Sequence, residues 1–146
     1  MIIVFDMDNT LVDEMGATLR PGILDLLQKL RADNHELKLW TNSKKDRANS
    51  ILQEHKLKSY FSEFVFRENY DPEEKGIRKD IRKINGDFLI DDDPEEIQYI
   101  KSIKKNGFLI SSFRRDSKVK EQELNEVYNL IQKKKGFFKN LFRIEA

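Results

Sequence analysis

The chain contains no cysteine, which excludes disulfides and thiolate metal sites and removes any need for an oxidising compartment. It also lacks a basic start followed by an apolar stretch and a small-residue cleavage site, and no apolar run approaches bilayer-spanning length. A cytoplasmic protein without membrane contact is therefore expected. Internal repeats, low-complexity stretches and linkers are missing too. A strong charge of one sign is absent: formal net charge is +1 although 36% of residues are charged. The overall field therefore steers neither nucleic acid nor anionic lipid. The balance is nevertheless uneven, because residues 133–146 hold five basic residues and one acid, leaving the first 132 at about −3. Histidine is scarce, and His35 and His55 have no partner arrangement that suggests metal or nucleophilic chemistry. Both are expected at the surface or at a helix edge.

What is present is an alternation of short apolar runs with amphipathic segments, the pattern of an α/β domain with a parallel sheet. The runs Ile2 to Phe5, Leu37 to Trp40, Phe64 to Phe66, Phe88 to Ile90 and Phe108 to Ile110 predict strands. Between them, Pro21 is expected to open a helix bearing Ile23, Leu26, Leu27 and Leu30 on one face. Ser43 is expected to cap a second, with Ala48, Ile51, Leu52 and His55 inward. Asp71-Pro72-Glu73-Glu74 reads as a cap, a proline at the first position and a capping-box acid, predicting a helix that buries Ile77, Ile81 and Ile84. Asp93-Pro94-Glu95-Glu96 repeats that signature before Ile97, Ile100 and Ile103. A last helix carries Leu124, Val127, Tyr128 and Ile131, and Gly136 is expected to end it. The predicted division is a core over residues 1–135 and a basic amphipathic segment over 136–146.

The polar signals fall at the ends of the predicted strands, where open α/β sheets bind ligands. Asp6-Met7-Asp8-Asn9-Thr10 leaves the first strand, Thr41-Asn42-Ser43 the second, and Asp91-Asp92-Asp93 the fourth. Two unpaired carboxylates converging at a strand end would repel by roughly 4 kcal/mol at about 4 Å and an effective dielectric near ~20. A cation must offset them, and Mg²⁺, a hard ion with oxygen ligands, is the natural candidate. Asp93 is better explained as the cap before Pro94 than as part of the site.

Taken in order, Asp6-Met7-Asp8-Asn9-Thr10, Thr41, a lysine in the Lys75 to Lys79 stretch and Asp91-Asp92 resemble the four motifs of the haloacid dehalogenase (HAD) superfamily, over roughly residues 1 to 110. Arg20-Pro21-Gly22, Leu39-Trp40-Thr41, Phe66-Arg67-Glu68, Lys79-Asp80-Ile81 and Ile90-Asp91-Asp92-Asp93-Pro94 resemble the branch containing the RNA polymerase carboxy-terminal-domain phosphatases, the NLI-interacting-factor-like branch. The resemblance implies a doubly wound, Rossmann-like sheet and a Mg²⁺-dependent phosphatase with an aspartyl-phosphate intermediate. It makes Asp6 the nucleophile, Asp8 the general acid and then base, and Thr41 and Asn42 the phosphate holders. Lys79, with Lys75 as the alternative, would offset transition-state charge. Asp6, Asp8, Asp91 and Asp92 would form the metal site, with the direct ligand among the last two left open.

Only 34 residues separate Asp6 from Thr41 and 37 separate Thr41 from Lys79. The predicted elements use most of them, so no cap domain is expected and residues 12 to 19 can form only a short flap. Uncapped members of the superfamily tend to act on macromolecular phosphates or to borrow a neighbouring subunit as a lid. Phosphoprotein, a polynucleotide end and a small phosphate ester are the candidate substrates, in that order. A receiver-like signalling domain and a catalytically silent phosphate-binding domain are the rival readings. Motif order disfavours the first, since the acid pair follows the first strand and the acid cluster comes late. Filled motif positions disfavour the second. In the tail, Phe137, Phe138, Leu141 and Phe142 share one face if helical, predicting a segment that packs on the sheet edge, with a subunit contact in a homo-oligomer that also lids the open site, or a surface for membrane or nucleic acid, as the alternatives.

Overall fold

A computed structural model describes residues 1–118, 120 and 122–145, with the side chains of 137–145 excepted. Strands β1 (Ile2–Phe5), β2 (Glu36–Trp40), β3 (Glu63–Val65), β4 (Phe88–Asp91) and β5 (Asn106–Leu109) form one sheet in the order β3-β2-β1-β4-β5. All pairings are parallel, with Val4 opposite Lys38 on one side and Leu89 on the other. The chain winds outward from β1 through β2 to β3, then returns to β4 and β5 on the other flank. Its direction of winding therefore reverses at β1, and a crevice opens beyond the carboxyl ends of β1 and its neighbours.

The strands read as apolar runs because both faces are covered. On one face Ile3, Phe5, Leu37, Leu39, Phe88 and Ile90 pack against α1 (Ile23–Ala32), α2 (Lys45–Glu54) and α5 (Glu123–Glu145). On the other, Val4, Trp40, Val65 and Leu89 meet Ile97 and Ile100 of α4 (Pro94–Ser102) and a 3₁₀ turn over Ile81–Ile84. The single-turn α3 (Arg67–Tyr70) follows β3. Among the described residues no cap domain is present and no helix is long and apolar enough to cross a membrane.

Several local expectations change. The helix foreseen from Pro72 to Ile84 is replaced by an extended loop and the 3₁₀ turn. Asp71 does not cap a first turn: its carboxylate accepts the N–H groups of Lys75, Gly76 and Ile77 at 2.8, 3.0 and 3.2 Å. Ile77, expected inside, is exposed. Pro21 lies two positions ahead of the helix it was expected to open, because the N-cap Gly22 has φ 83° and only Ile23 begins α1. Lys44, not Ser43, is the N-cap of α2, and no side chain caps that end. Strand β3 begins and ends one residue before the predicted run, and β5 starts at Asn106, where it pairs with Phe88. His35 is buried rather than superficial, its Nδ1 lying 3.1 Å from the Met1 amino group.

Gly136 does not end the last helix, which continues to Glu145. A glycine costs a helix interior only about 1 kcal/mol, and a Cβ at this position would meet nothing within 4 Å. The expected apolar face of Phe137, Phe138, Leu141 and Phe142 lies outside the described side chains.

Candidate active site

The acids and the hydroxyl of the crevice are delivered by strand ends. Asp6 follows β1 directly and stays in register through its N–H, which donates to the Ile90 carbonyl at 3.0 Å. Asp91 is the last residue of β4. Thr41 follows β2, where its N–H reaches the Val65 carbonyl at 2.9 Å. These side chains line a cleft of about 650 Å³, together with Asp8, Asn42, Lys79 and Asp92.

Lys79 joins the two halves of this arrangement. Its Nζ donates to Asp6 Oδ1 at 2.9 Å and Asp91 Oδ2 at 2.7 Å, with all three side chains nearly or fully buried. Lys75 takes no part: its side chain is exposed and pairs with Glu73. The loop that replaces the expected helix delivers Lys79. Buried Glu96 holds it in place, accepting the Lys79 N–H at 2.8 Å on one carboxylate oxygen and an Arg78 Nη1–H at 2.9 Å on the other. Glu96 therefore does not close a capping box. The Asp93 N–H that a box would need donates instead to Asp91 Oδ1 at 3.0 Å, while Asp93 caps α4 through the Glu95 N–H.

Oxygen atoms of Asp6, Asp91 and Asp92 all come within 4.8 Å of one another. Burial pushes the Asp6 carboxyl up to about 6, with Asp92 adding to the shift and Lys79 opposing it. Burial likewise raises Asp91 to about 6, with Asp6 adding to the shift and Lys79 opposing it. Asp92 is also raised, first by burial and then by Asp91. Burial would lower Lys79, but Asp6 and Asp91 outweigh it and hold the ammonium well above its usual range. Three carboxylates thus face one ammonium in a partly dry crevice. The donor set is all oxygen, as a hard divalent cation requires, so the residues fit Mg²⁺.

Asp8, expected among the metal ligands, is not brought into this group. Its carboxylate, 29% exposed, takes both ends of the Arg47 guanidinium, Nη1 at 2.9 Å and Nη2 at 3.0 Å. Thr41 Oγ1 accepts the Ser43 N–H at 3.0 Å, which folds the Thr41-Asn42-Ser43 turn toward the cleft. Asn42 is exposed beside it, and Arg67 Nε donates to its carbonyl at 2.8 Å.

The loop after β1 is held from below by Arg20, which sequence reasoning had noted only within a resemblance. Its buried guanidinium donates to the carbonyls of Thr10 at 2.6 Å and Asn9 at 3.0 Å, and to that of Ser111, and pairs with Glu123 at 3.6 Å. This clamp lets Asn9 adopt φ 64°, and Thr10 Oγ1 then donates to Asp6 Oδ2 at 3.0 Å. Arg47, Glu96 and Arg20 were all missed as site residues. The only local signal was the placement of Arg47 on the first turn of α2, just after the Thr41 turn.

The sequence matches the NLI interacting factor-like phosphatase family over residues 1–141. The chain belongs to that family. It is accordingly a phosphatase, and its fold is shared with HAD-superfamily hydrolases of low sequence identity. A Thermotoga maritima structure described as a beta-phosphoglucomutase superposes with a TM-score of 0.63 at 16% identity, covering 88% of this chain and 98% of that one. A HAD-superfamily hydrolase from Ehrlichia chaffeensis gives 0.60 at 16% identity, covering 90% and 96%. A chain of the Pnkp1/Rnl/Hen1 RNA repair complex gives 0.60 at 14% identity, covering 76% of this phosphatase but only 42% of its own length. No curated protein matches the sequence.

Proposed function

We propose that this phosphatase hydrolyses a phosphate monoester with Mg²⁺ through an aspartyl-phosphate on Asp6. The observation that carries the reading is the bridge of Lys79 Nζ between Asp6 and Asp91 on the floor of the cleft. Asp6, Asp91 and Asp92 would hold the metal, whose charge, when bound, screens an anionic phosphate from the carboxylate that attacks it. Asp6 forms a bond to phosphorus as the bond to the leaving oxygen breaks, and Asp8 gives its proton to that oxygen. In the second half Asp8 takes a proton from water, the water oxygen bonds to phosphorus, and the Asp6 carboxylate departs. Lys79, Thr41 and the Asn42 turn position the phosphoryl oxygens and offset their charge.

The open cleft suits a phosphate presented on a larger molecule, so a phosphoprotein is the first substrate class. A polynucleotide end is the second, favoured by the likeness to a chain of an RNA repair complex. Phosphate release from p-nitrophenyl phosphate with and without Mg²⁺ tests the reaction. Asp6→Asn should abolish it while the circular dichroism and melting temperature stay native-like. Turnover by a well-folded Asp6→Asn protein, or full wild-type activity in chelator, would sink the mechanism. A receiver-like or silent binding domain would release no phosphate catalytically.

A further inference from the structure

Both carboxylate oxygens of Asp8 are engaged by one residue, Arg47, through its two amino groups at 2.9 and 3.0 Å. Each oxygen keeps a further acceptor site, but the guanidinium fork fixes the direction of the carboxylate, so Arg47 competes for it with a leaving oxygen or a water. Arg47 is further steadied by Ser43 Oγ at 3.0 Å, and Nη2 lies 3.5 Å from the Glu14 carbonyl. The pair is nevertheless open to solvent, with side-chain exposures of 43% for Arg47 and 29% for Asp8, against 6% for Lys79 on the cleft floor. Ion pairs this exposed are weakly held and exchange readily with other anions.

The position of Arg47 also says which part of a substrate it meets. The phosphoryl oxygens belong with Lys79 and the Thr41 turn. Asp8 must face the oxygen that joins phosphorus to the remainder of the substrate, so a side chain bonded to Asp8 faces the leaving group. A guanidinium presents two parallel N–H donors, the geometry that matches a carboxylate or phosphate.

We propose that Arg47 is a latch on Asp8 that doubles as a specificity residue: a second anionic group on the leaving side of the substrate draws Arg47 away and frees Asp8 for proton transfer. The preferred substrates are thus phosphomonoesters that carry a carboxylate or another phosphate close to the scissile ester. This inference rests on the roles proposed above for Asp6 and Asp8.

The test measures kcat/KM with Mg²⁺ for ethyl phosphate, phosphoglycolate and ethane-1,2-diol bisphosphate, with p-nitrophenyl phosphate as the control for the reaction itself. Wild type should prefer each ester with an anionic leaving side to ethyl phosphate by about two- to fivefold, the range of an exposed ion pair. The carboxylate and phosphate arms show which anion is read. Arg47→Ala and Arg47→Met should bring both ratios close to unity and raise kcat on ethyl phosphate, since nothing then occupies Asp8. Arg47→Lys should keep part of the preference. Ratios unchanged in both neutral variants, or a fall in kcat on ethyl phosphate, would overturn the latch while leaving the phosphatase reading in place. Absence of p-nitrophenyl phosphate hydrolysis by wild type would instead overturn that reading, and the latch with it.

Discussion

Asp-Pro-Glu-Glu occurs at 71–74 and again at 93–96, and the two copies fold differently. At 93–96 the first Asp accepts the Glu95 N–H, Pro94 takes the first helical position and α4 follows. At 71–74 the Asp accepts three N–H groups further along, Glu74 takes φ 53° and no helix forms. The difference lies downstream. Ile97 and Ile100 follow the second copy at helical spacing, and both are buried against the sheet. Lys75-Gly76-Ile77 follows the first, with Gly76 at φ 78° and Ile77 exposed. A start signal is worth about 1 kcal/mol, too little to impose a helix when Ile81 and Ile84 reach the sheet from the 3₁₀ turn instead and Ile77 stays outside. The consequence is functional: the copy that fails to start a helix becomes the loop that carries Lys79, and the copy that succeeds supplies Glu96 to hold it.

The sharpest way to break this comparison is at the two lysines of the loop. Lys79→Ala should lower kcat/KM on p-nitrophenyl phosphate by about a hundred- to a thousandfold, the usual cost of removing a transition-state donor. Lys75→Ala should leave it close to wild type. Activity in Lys79→Ala as high as in Lys75→Ala and wild type would mean that the buried bridge to Asp6 and Asp91 has no catalytic consequence.

The two Asp residues should differ in stability. Asp71 is buried, and Asp71→Ala strands three backbone donors, so unfolding in urea should show a loss of about 3 kcal/mol together with reduced activity. Asp93→Ala removes one helix cap and should cost about 1 kcal/mol, and Asp93→Asn almost nothing. The reverse order would show that the loop, not α4, tolerates loss of its acid.

The smallest effect is expected at Gly76. An alanine Cβ there would approach Arg78 Nη2 no closer than 3.6 Å, so only the left-handed backbone opposes it. Gly76→Ala should therefore destabilise by about 1 kcal/mol by the same urea measurement. No loss at all would indicate that the loop can refold toward the helix its first residues announce.

Much of the fold was legible because the central strands β1, β2 and β4 are largely buried and so appear as apolar runs, and because α1, α4 and α5 carry apolar stripes at helical spacing. The loop at 71–80 was not legible, since its opening residues are those of a true helix start and the contacts that decide against it, those of Lys79 with Asp6, Asp91 and Glu96, lie far off in the sequence. His35 was misplaced for a related reason: a lone polar residue gives no sign that the chain's first residue will cover it. In the candidate site, the residues at the strand ends were found from their positions after apolar runs. Arg47 was not, because a charged residue on an exposed helical turn looks the same whether it is merely solvated or holds Asp8, 39 positions away.

By itself the sequence determined the elements of the sheet and the chemical types that leave its strands: acids after β1 and β4, a hydroxyl after β2. Those features depend on hydrophobic period and on neighbours within about four residues, where local interactions act. Only the tertiary structure decided which lysine enters the crevice, which carboxylates meet, and that Asp8 turns to Arg47. Contacts such as Lys79 to Asp6 span 73 positions. They exist because the parallel sheet brings the ends of distant strands to one edge, a juxtaposition that no local interaction specifies.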